Sequence, residues 1–268
     1  MKLCLSGFLF EHAYQHCDVA FPDFVALAKC HGFDGVELRR TQVSVETPLD
    51  QVRAMRRVVE DHGLFVNCLE SRGMPSEEPQ RSVFVESLLE RAALLNARMI
   101  KIGVPLPGDF TWFRRIADRA EEQGIRLGTN NHVGAMTETV IGAQQAFRAV
   151  NHRNYGLLFD CLHLWVCGEN YVGAVARLAP HLINVLVHAV RPAREDDTVC
   201  VNREGRRFAA TTIDDSESQN WQAIFTALRS VNFEGPITVN EHTEEESLRA
   251  RIVETYPRLI RKWWAVAA

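Results

Sequence analysis

The sequence predicts a (β/α)8 barrel, a ring of eight parallel strands enclosed by helices, and three observations carry that prediction. Short β-rich runs alternate with longer stretches whose apolar residues recur at helical spacing, the rhythm of parallel strands joined by crossover helices. Glycines stand where helical stretches give way to strands, at His62-Gly63, Gln123-Gly124 and Glu234-Gly235, in the place of a helix C-cap. The length of 268 residues matches one such barrel, so residues 1–268 are read as a single domain.

The first strand is expected at Lys2–Phe8, within the apolar opening run. The second lies at Gly35–Arg39, where GVELR sets charges among apolar neighbours, and the helical stretch Pro48–His62 follows it. Leu64–Cys68, directly after Gly63, is the third strand, and Val83–Leu95 its helix. Arg98–Gly103 is the fourth, with the helix Trp112–Gln123 behind it, and Ile125–Thr129 is the fifth. Gly156–Asp160, Ile183–His188 and Pro236–Asn240 complete the ring. No glycine-rich dinucleotide fingerprint follows the first strand and no phosphate-binding P-loop occurs, which argues against an open doubly wound sheet. The longest irregular stretch, Arg191–Asp215, is charged and follows strand seven; in a barrel it would lie over the active face.

Composition excludes several functions. A net charge of −4, with lysines and arginines scattered among acids, argues against nucleic acid as a partner. Glu11 and His12 interrupt the N-terminal apolar run before a signal peptide or membrane span could form, so the expectation is a cytoplasmic protein with no membrane contact. Seven cysteines without a CxxC pair fit reduced thiols, neither a disulfide framework nor a zinc ribbon. The apolar C-terminal run Lys262–Val266 is expected to cover a barrel mouth or a neighbouring copy, compatible with a homo-oligomer.

Barrels carry their chemistry at the C-terminal ends of the strands, and polar residues gather there. Asp160 and His163, in FDCLHLW, place a carboxylate at a strand end and an imidazole one turn later, able to converge on one ion or hydroxyl. The same spacing serves a helix N-cap beside a packed histidine. His188 closes the next strand. Glu37 and Lys101 either pair inside the barrel or supply proton transfer, Lys101 as a Schiff-base amine. Glu70, His132, Trp112 and Arg191 are candidate substrate contacts, with Phe8, Phe10 and Trp165 as further wall residues and Arg194 as a second anion contact.

The stretches GFDGVELR, GIRLGTNNH, GLLFDCLHLW, INVLVHAVRP and NWQAIFTALRSVNFEGPITVN resemble the xylose-isomerase-like TIM barrels, also called AP endonuclease family 2. The resemblance implies a (β/α)8 barrel with one divalent ion, of zinc, manganese or magnesium, bound by Glu, Asp, His and Glu from strands five to eight. Asp160 matches the family aspartate, His163 the histidine after it and His188 the strand-seven ligand. Asn130 and Asn240 stand where the two glutamates belong, unless a bulge in strand eight turns Glu241 inward. The altered ligand set would then be Asn130, Asp160, His188 and Asn240. An amide cannot accept the proton that those glutamates move in the family's epimerases, and two lost charges weaken metal affinity.

Two functions follow. One is an isomerase, epimerase or dehydratase acting on a small carbohydrate-like hydroxy-carbonyl compound, with or without the ion. The other is a non-catalytic sugar-binding or regulatory protein on the same scaffold. The family's DNA-repair branch is disfavoured by the acidic pI of about 6.2 and the shortage of His and Glu ligands.

Overall fold

The computed structural model describes residues 1–105 and 109–267. Eight parallel strands close into a barrel: β1 (Leu3–Ser6), β2 (Gly35–Leu38), β3 (Phe65–Glu70), β4 (Met99–Lys101), β5 (Arg126–Asn130), β6 (Tyr155–Asp160), β7 (Leu182–Val187) and β8 (Ile237–Val239), with β1 paired to both β2 and β8. The helices α1 (Phe21–Cys30), α2 (Leu49–Asp61), α3 (Glu78–Leu94), α4 (Phe110–Glu122), α5 (Val140–Val150), α6 (Cys161–Val166), α7 (Tyr171–Leu178), α8 (Trp221–Ser230) and α9 (Glu246–Val266) form the connections and outer layer. All eight expected strands are present, with ends displaced by at most two residues.

The outer core is one continuous apolar cluster running from the strands to helix faces such as Val52, Met55 and Val59 of α2. Residues spaced three and four apart put these side chains on one stripe, and burying it holds the amphipathic helix against the sheet. Inside, Thr238 of β8 bonds Asn67 of β3 at 3.3 Å and Asn184 of β7 at 3.1 Å. Because β3 and β8 are not neighbours, the first bond crosses the lumen and uses the Asn67 amide N–H, while Asn67 Oδ1 has no partner.

Gly63 and Gly124 end α2 and α4 with φ of +64° and +70°, as expected of C-caps. Gly235 differs. The left-handed residue after α8 is Asn232, with φ +54°, and Gly235 is required by close approach instead: a Cβ there would meet the Phe233 ring at 2.5 Å and the Ile183 carbonyl at 2.8 Å.

Two insertions sit on the C-terminal side. Glu11–His12 and His16–Cys17 pair as a short hairpin after β1. The stretch expected to be irregular after strand seven contains an antiparallel sheet, formed by Val190–Pro192, Val199–Arg203 and Arg206–Ala210. The C-terminal tryptophans Trp263 and Trp264 pack beside Phe225 of α8, with ring centroids 6.3 Å apart in both pairs, rather than over the mouth. All seven cysteines are free, and no described helix is long and apolar enough to cross a membrane.

Candidate active site

The C-terminal strand ends open into a cavity of about 450 Å³. Asp160 lies at its floor, 1% exposed, and serves two purposes. Its Oδ1 accepts the Leu162 N–H at 3.1 Å as the N-cap of α6, while Oδ2 faces His163 Nε2 at 3.6 Å and His188 Nδ1 at 3.9 Å. The cap therefore fixes the carboxylate that the two imidazoles approach. At these separations the contacts are electrostatic and not hydrogen bonds, which leaves His188 Nδ1 without a partner; His163 Nδ1, the ring nitrogen not facing Asp160, has none either.

Burial acts to raise the Asp160 carboxyl, but the flanking His163 and His188 outweigh it and hold the group below the usual carboxylate range. Burial pushes His163 down to about 4. For His188 burial acts downward, yet contact with Asp160 prevails and raises it. Two histidines beside one carboxylate thus settle in different states, His163 neutral and His188 inclined to charge. His132 is exposed, donates Nδ1–H to the Val133 carbonyl at 2.7 Å, and stacks against His163 with centroids 4.3 Å apart.

The other wall is a chain of buried charges. Arg39 bonds Glu11 at 3.1 Å and Glu70 at 2.8 Å; Lys101 lies 3.6 Å from Glu70 and 3.7 Å from Glu37. Glu37 is fully buried, with Ser6 Oγ donating to it at 3.3 Å. The interior Glu37–Lys101 pairing is therefore the arrangement present, with the orphan oxygens Glu37 Oε2 and Glu70 Oε2 left over.

At the end of β8, Asn240 lines the cavity with an unpartnered Oδ1, and Glu241 does not line it. Both Glu241 oxygens accept the Ala189 N–H, at 2.9 and 3.0 Å, and Oε1 also accepts the Tyr256 hydroxyl at 2.8 Å. Burial pushes this carboxyl up to about 8. Asn130 of β5 lines the cavity too.

The fold thus gathers Asp160, His163, His188, His132, Glu70, Lys101, Asn130 and Asn240 at one mouth, with Glu37 beneath them. Two expected substrate contacts fall elsewhere. Trp112 is buried in α4, where its indole N–H donates to Ser82 Oγ at 2.7 Å and Arg81 covers its ring, because the helix turns that face toward α3. Arg191 is consumed by a forked pair with Asp197, at 2.6 and 2.8 Å, within the inserted sheet. Of the other wall candidates, Phe8 lines the cavity, Phe10 packs on Phe24 and Trp165 on Phe208, while Arg194 pairs with Glu217. Tyr14 and Arg72, from turns, and Asn202, from the inserted sheet, line the cavity without having been anticipated. Their one sequence signal is position, after strands one, three and seven.

Among the described residues, one group of three His, Asp and Glu side chains has its ligand atoms all within 4.8 Å of one another, Asp118, Glu121 and His152. It joins the end of α4 to the start of β6, at the opposite face of the barrel, and is partly exposed.

A closed barrel with polar side chains converging on its C-terminal mouth defines the class, a (β/α)8 protein with a small-molecule cavity. The family follows from the sequence: the model of the xylose isomerase-like TIM barrel family matches residues 25–262, and the chain belongs to that family. No curated protein matches it. Among solved structures, a xylose isomerase-like TIM barrel protein from Mycobacterium smegmatis in complex with magnesium is similar at 14% identity and a TM-score of 0.75, over 100% of this chain and 98% of that one. The probable 3-DHS dehydratase AsbF involved in petrobactin synthesis, from Bacillus anthracis, is similar at 16% and 0.73, over 97% and 99%. D-Psicose 3-epimerase with D-tagatose, from Clostridium cellulolyticum, is similar at 14% and 0.71, over 98% and 99%. At these identities the likeness shows a shared fold.

Proposed function

We propose that the chain is an enzyme acting on a small polyhydroxylated carbonyl compound, by isomerisation, epimerisation or dehydration, in the cavity around Asp160 and His188. The observation that carries this reading is the set of buried polar atoms without partners at that mouth: His163 Nδ1, His188 Nδ1, Asn240 Oδ1 and Glu70 Oε2. Leaving each unsatisfied costs about 1–3 kcal/mol, which a ligand rich in hydroxyl and carbonyl groups would recover. The dehydratase and the epimerase of the same fold work on compounds of this kind, and their names support the class.

The donors present fit a divalent ion, with reduced charge. Asp160 Oδ2 and His188 Nδ1, 3.9 Å apart, are close enough to share one, and Asn240 and Asn130 would add neutral oxygens. An ion there would polarise a substrate oxygen. The chain's own groups divide the remaining work. Glu70 Oε2 accepts a substrate hydroxyl, Arg39 and Lys101 hold Glu70 in place, and neutral His163, backed by His132, accepts or relays a proton. With amides at the ends of β5 and β8, proton transfer falls to His163 and the Glu70–Lys101 wall. A second reading, a sugar-binding protein without turnover, draws on those same amides and on Glu241 being engaged elsewhere.

The test pairs metal analysis with a turnover screen of ketoses and polyhydroxy keto-acids. Protein purified without chelator is expected to contain a divalent ion, or to gain several degrees of thermal stability from manganese or magnesium, and Asp160→Ala and His188→Ala to abolish both this response and conversion. Conversion unchanged in both variants would refute the site, and binding without conversion of any compound would favour the second reading.

A further inference from the structure

We propose that Arg72 forms an anion subsite at the rim of the cavity, receiving a carboxylate or phosphate group of the substrate. The proposal rests on the preceding reading of the cavity as a polyol site and adds the substrate's charge to it.

Every other charged side chain that lines the cavity has a charged neighbour. Arg39 lies between Glu11 and Glu70, Lys101 between Glu37 and Glu70, and Asp160 between His163 and His188. Arg72 lines the same cavity and makes no hydrogen bond or ion pair among the described residues. Its guanidinium carbon lies 3.6 Å from the centroid of the Tyr14 ring. Stacking of this kind uses the flat face of the cation and keeps its N–H edge for a bidentate acceptor, the geometry that carboxylate and phosphate match.

The subsite is held from both sides. Arg72 is the second residue of a turn closed by the Met74 N–H on the Ser71 carbonyl at 3.2 Å, with Gly73 at φ +86°, and the Ser71 N–H is tied to the Lys101 carbonyl at 3.0 Å. Tyr14 sits at the tip of the β1 hairpin, where it and Ala13 have φ of +61° and +46°. Two consecutive L-residues in this region are costly, and such strain clusters at ligand sites. The strained tip brings Tyr14 against Phe8 and His242, with centroids 5.7 and 6.1 Å away, and Phe8 lies edge-on to His188 at 6.3 Å. An aromatic wall therefore runs from Arg72 to the imidazole beside Asp160. A substrate with its acid on Arg72 would lay its carbon skeleton along that wall.

Titration calorimetry on the full chain tests this with three probes: D-gluconate, D-glucose 6-phosphate and neutral D-glucitol. At least one anion is expected to bind about tenfold or more tighter than glucitol, the tighter of the two identifying carboxylate or phosphate as the source. Arg72→Gln should remove that preference, bringing the favoured anion to the affinity of glucitol in the same variant, and Arg72→Lys should retain part of it. Arg72 is exposed on a turn, so both variants are expected to keep the wild-type melting temperature. Equal binding of glucitol and both anions, or a preference surviving in Arg72→Gln, overturns the anion subsite alone. Failure of all three probes at millimolar concentration overturns it together with the polyol reading.

Discussion

Replacing Tyr256 by Phe removes one hydroxyl from a fully buried ring, and the structure sets the consequence. That hydroxyl donates to Glu241 at 2.8 Å and accepts the Ile213 N–H at 3.1 Å, while Glu241 accepts the Ala189 N–H. Ala189 and Ile213 flank the inserted sheet whose strand Val199–Arg203 supplies Val201 and Asn202 to the cavity, so one pair of side chains clamps both ends of the active-face cover. With burial holding the Glu241 carboxyl up at about 8, the bond to it is worth about 0.5–1.5 kcal/mol, and the buried Ile213 N–H left without a partner costs about 1–3 kcal/mol more. Allowing for partial relaxation, Tyr256→Phe should destabilise the protein by roughly 3 kcal/mol. At about 2.1 cal/mol/K per residue, a chain of this length loses about 5 °C in melting temperature. Calorimetry would measure the loss, and hydrogen exchange would locate it in residues 189–213. A change below about 0.5 kcal/mol with undisturbed exchange there would refute the clamp.

Two other ion pairs, Lys101 with Glu37 and Asp34 with Arg261, set measurable outcomes. Lys101→Met leaves fully buried Glu37 with Ser6 as its remaining neighbour and should cost about 3–5 kcal/mol in urea unfolding, partly recovered in Lys101→Met/Glu37→Gln; equal losses in the two would argue against the pair. Asp34 accepts the Leu3 N–H at 2.9 Å and pairs with Arg261 at 3.0 Å. Burial acts to raise its carboxyl, but these donors prevail and lower it, so its stabilisation is present above the ordinary carboxylate pKa and lost as pH falls through the lowered one. Asp34→Asn should therefore lower the melting temperature at neutral pH, with the difference from wild type closing in acid; a difference that persists at low pH would contradict the assignment.

Much of the fold was legible because barrel strands and helices are local patterns. GVELR, GLLFD and INVLVH announce buried strands by their apolar neighbours, and Gly63 and Gly124 mark turns that need a left-handed residue. Asp160, His163 and His188 were equally visible, since parallel strands of one barrel deliver their ends to one mouth whatever the loops do. The Glu37–Lys101 pair was one of two sequence readings and is the one present, because a charge on an interior strand position must meet its opposite.

What local pattern could not contain was the direction of side chains in irregular segments. Trp112 and Arg191 carry suitable chemistry, but one faces Ser82 on a neighbouring helix and the other meets Asp197 inside a sheet that read as a loop. Arg72 and Tyr14 meet though 58 positions separate them in the sequence, because the loops after β1 and β3, with β2 between them in the closed ring, bend toward each other. The amino-acid sequence by itself determined the barrel, its family and the carboxylate and imidazoles at the floor of the mouth. The tertiary structure decided that Asn240 rather than Glu241 faces the cavity, and which arginine is left free there. The physical reason is that strand register is set by repeating apolar contacts along the chain, whereas the partner of a polar side chain is set by groups that only closure of the barrel brings near.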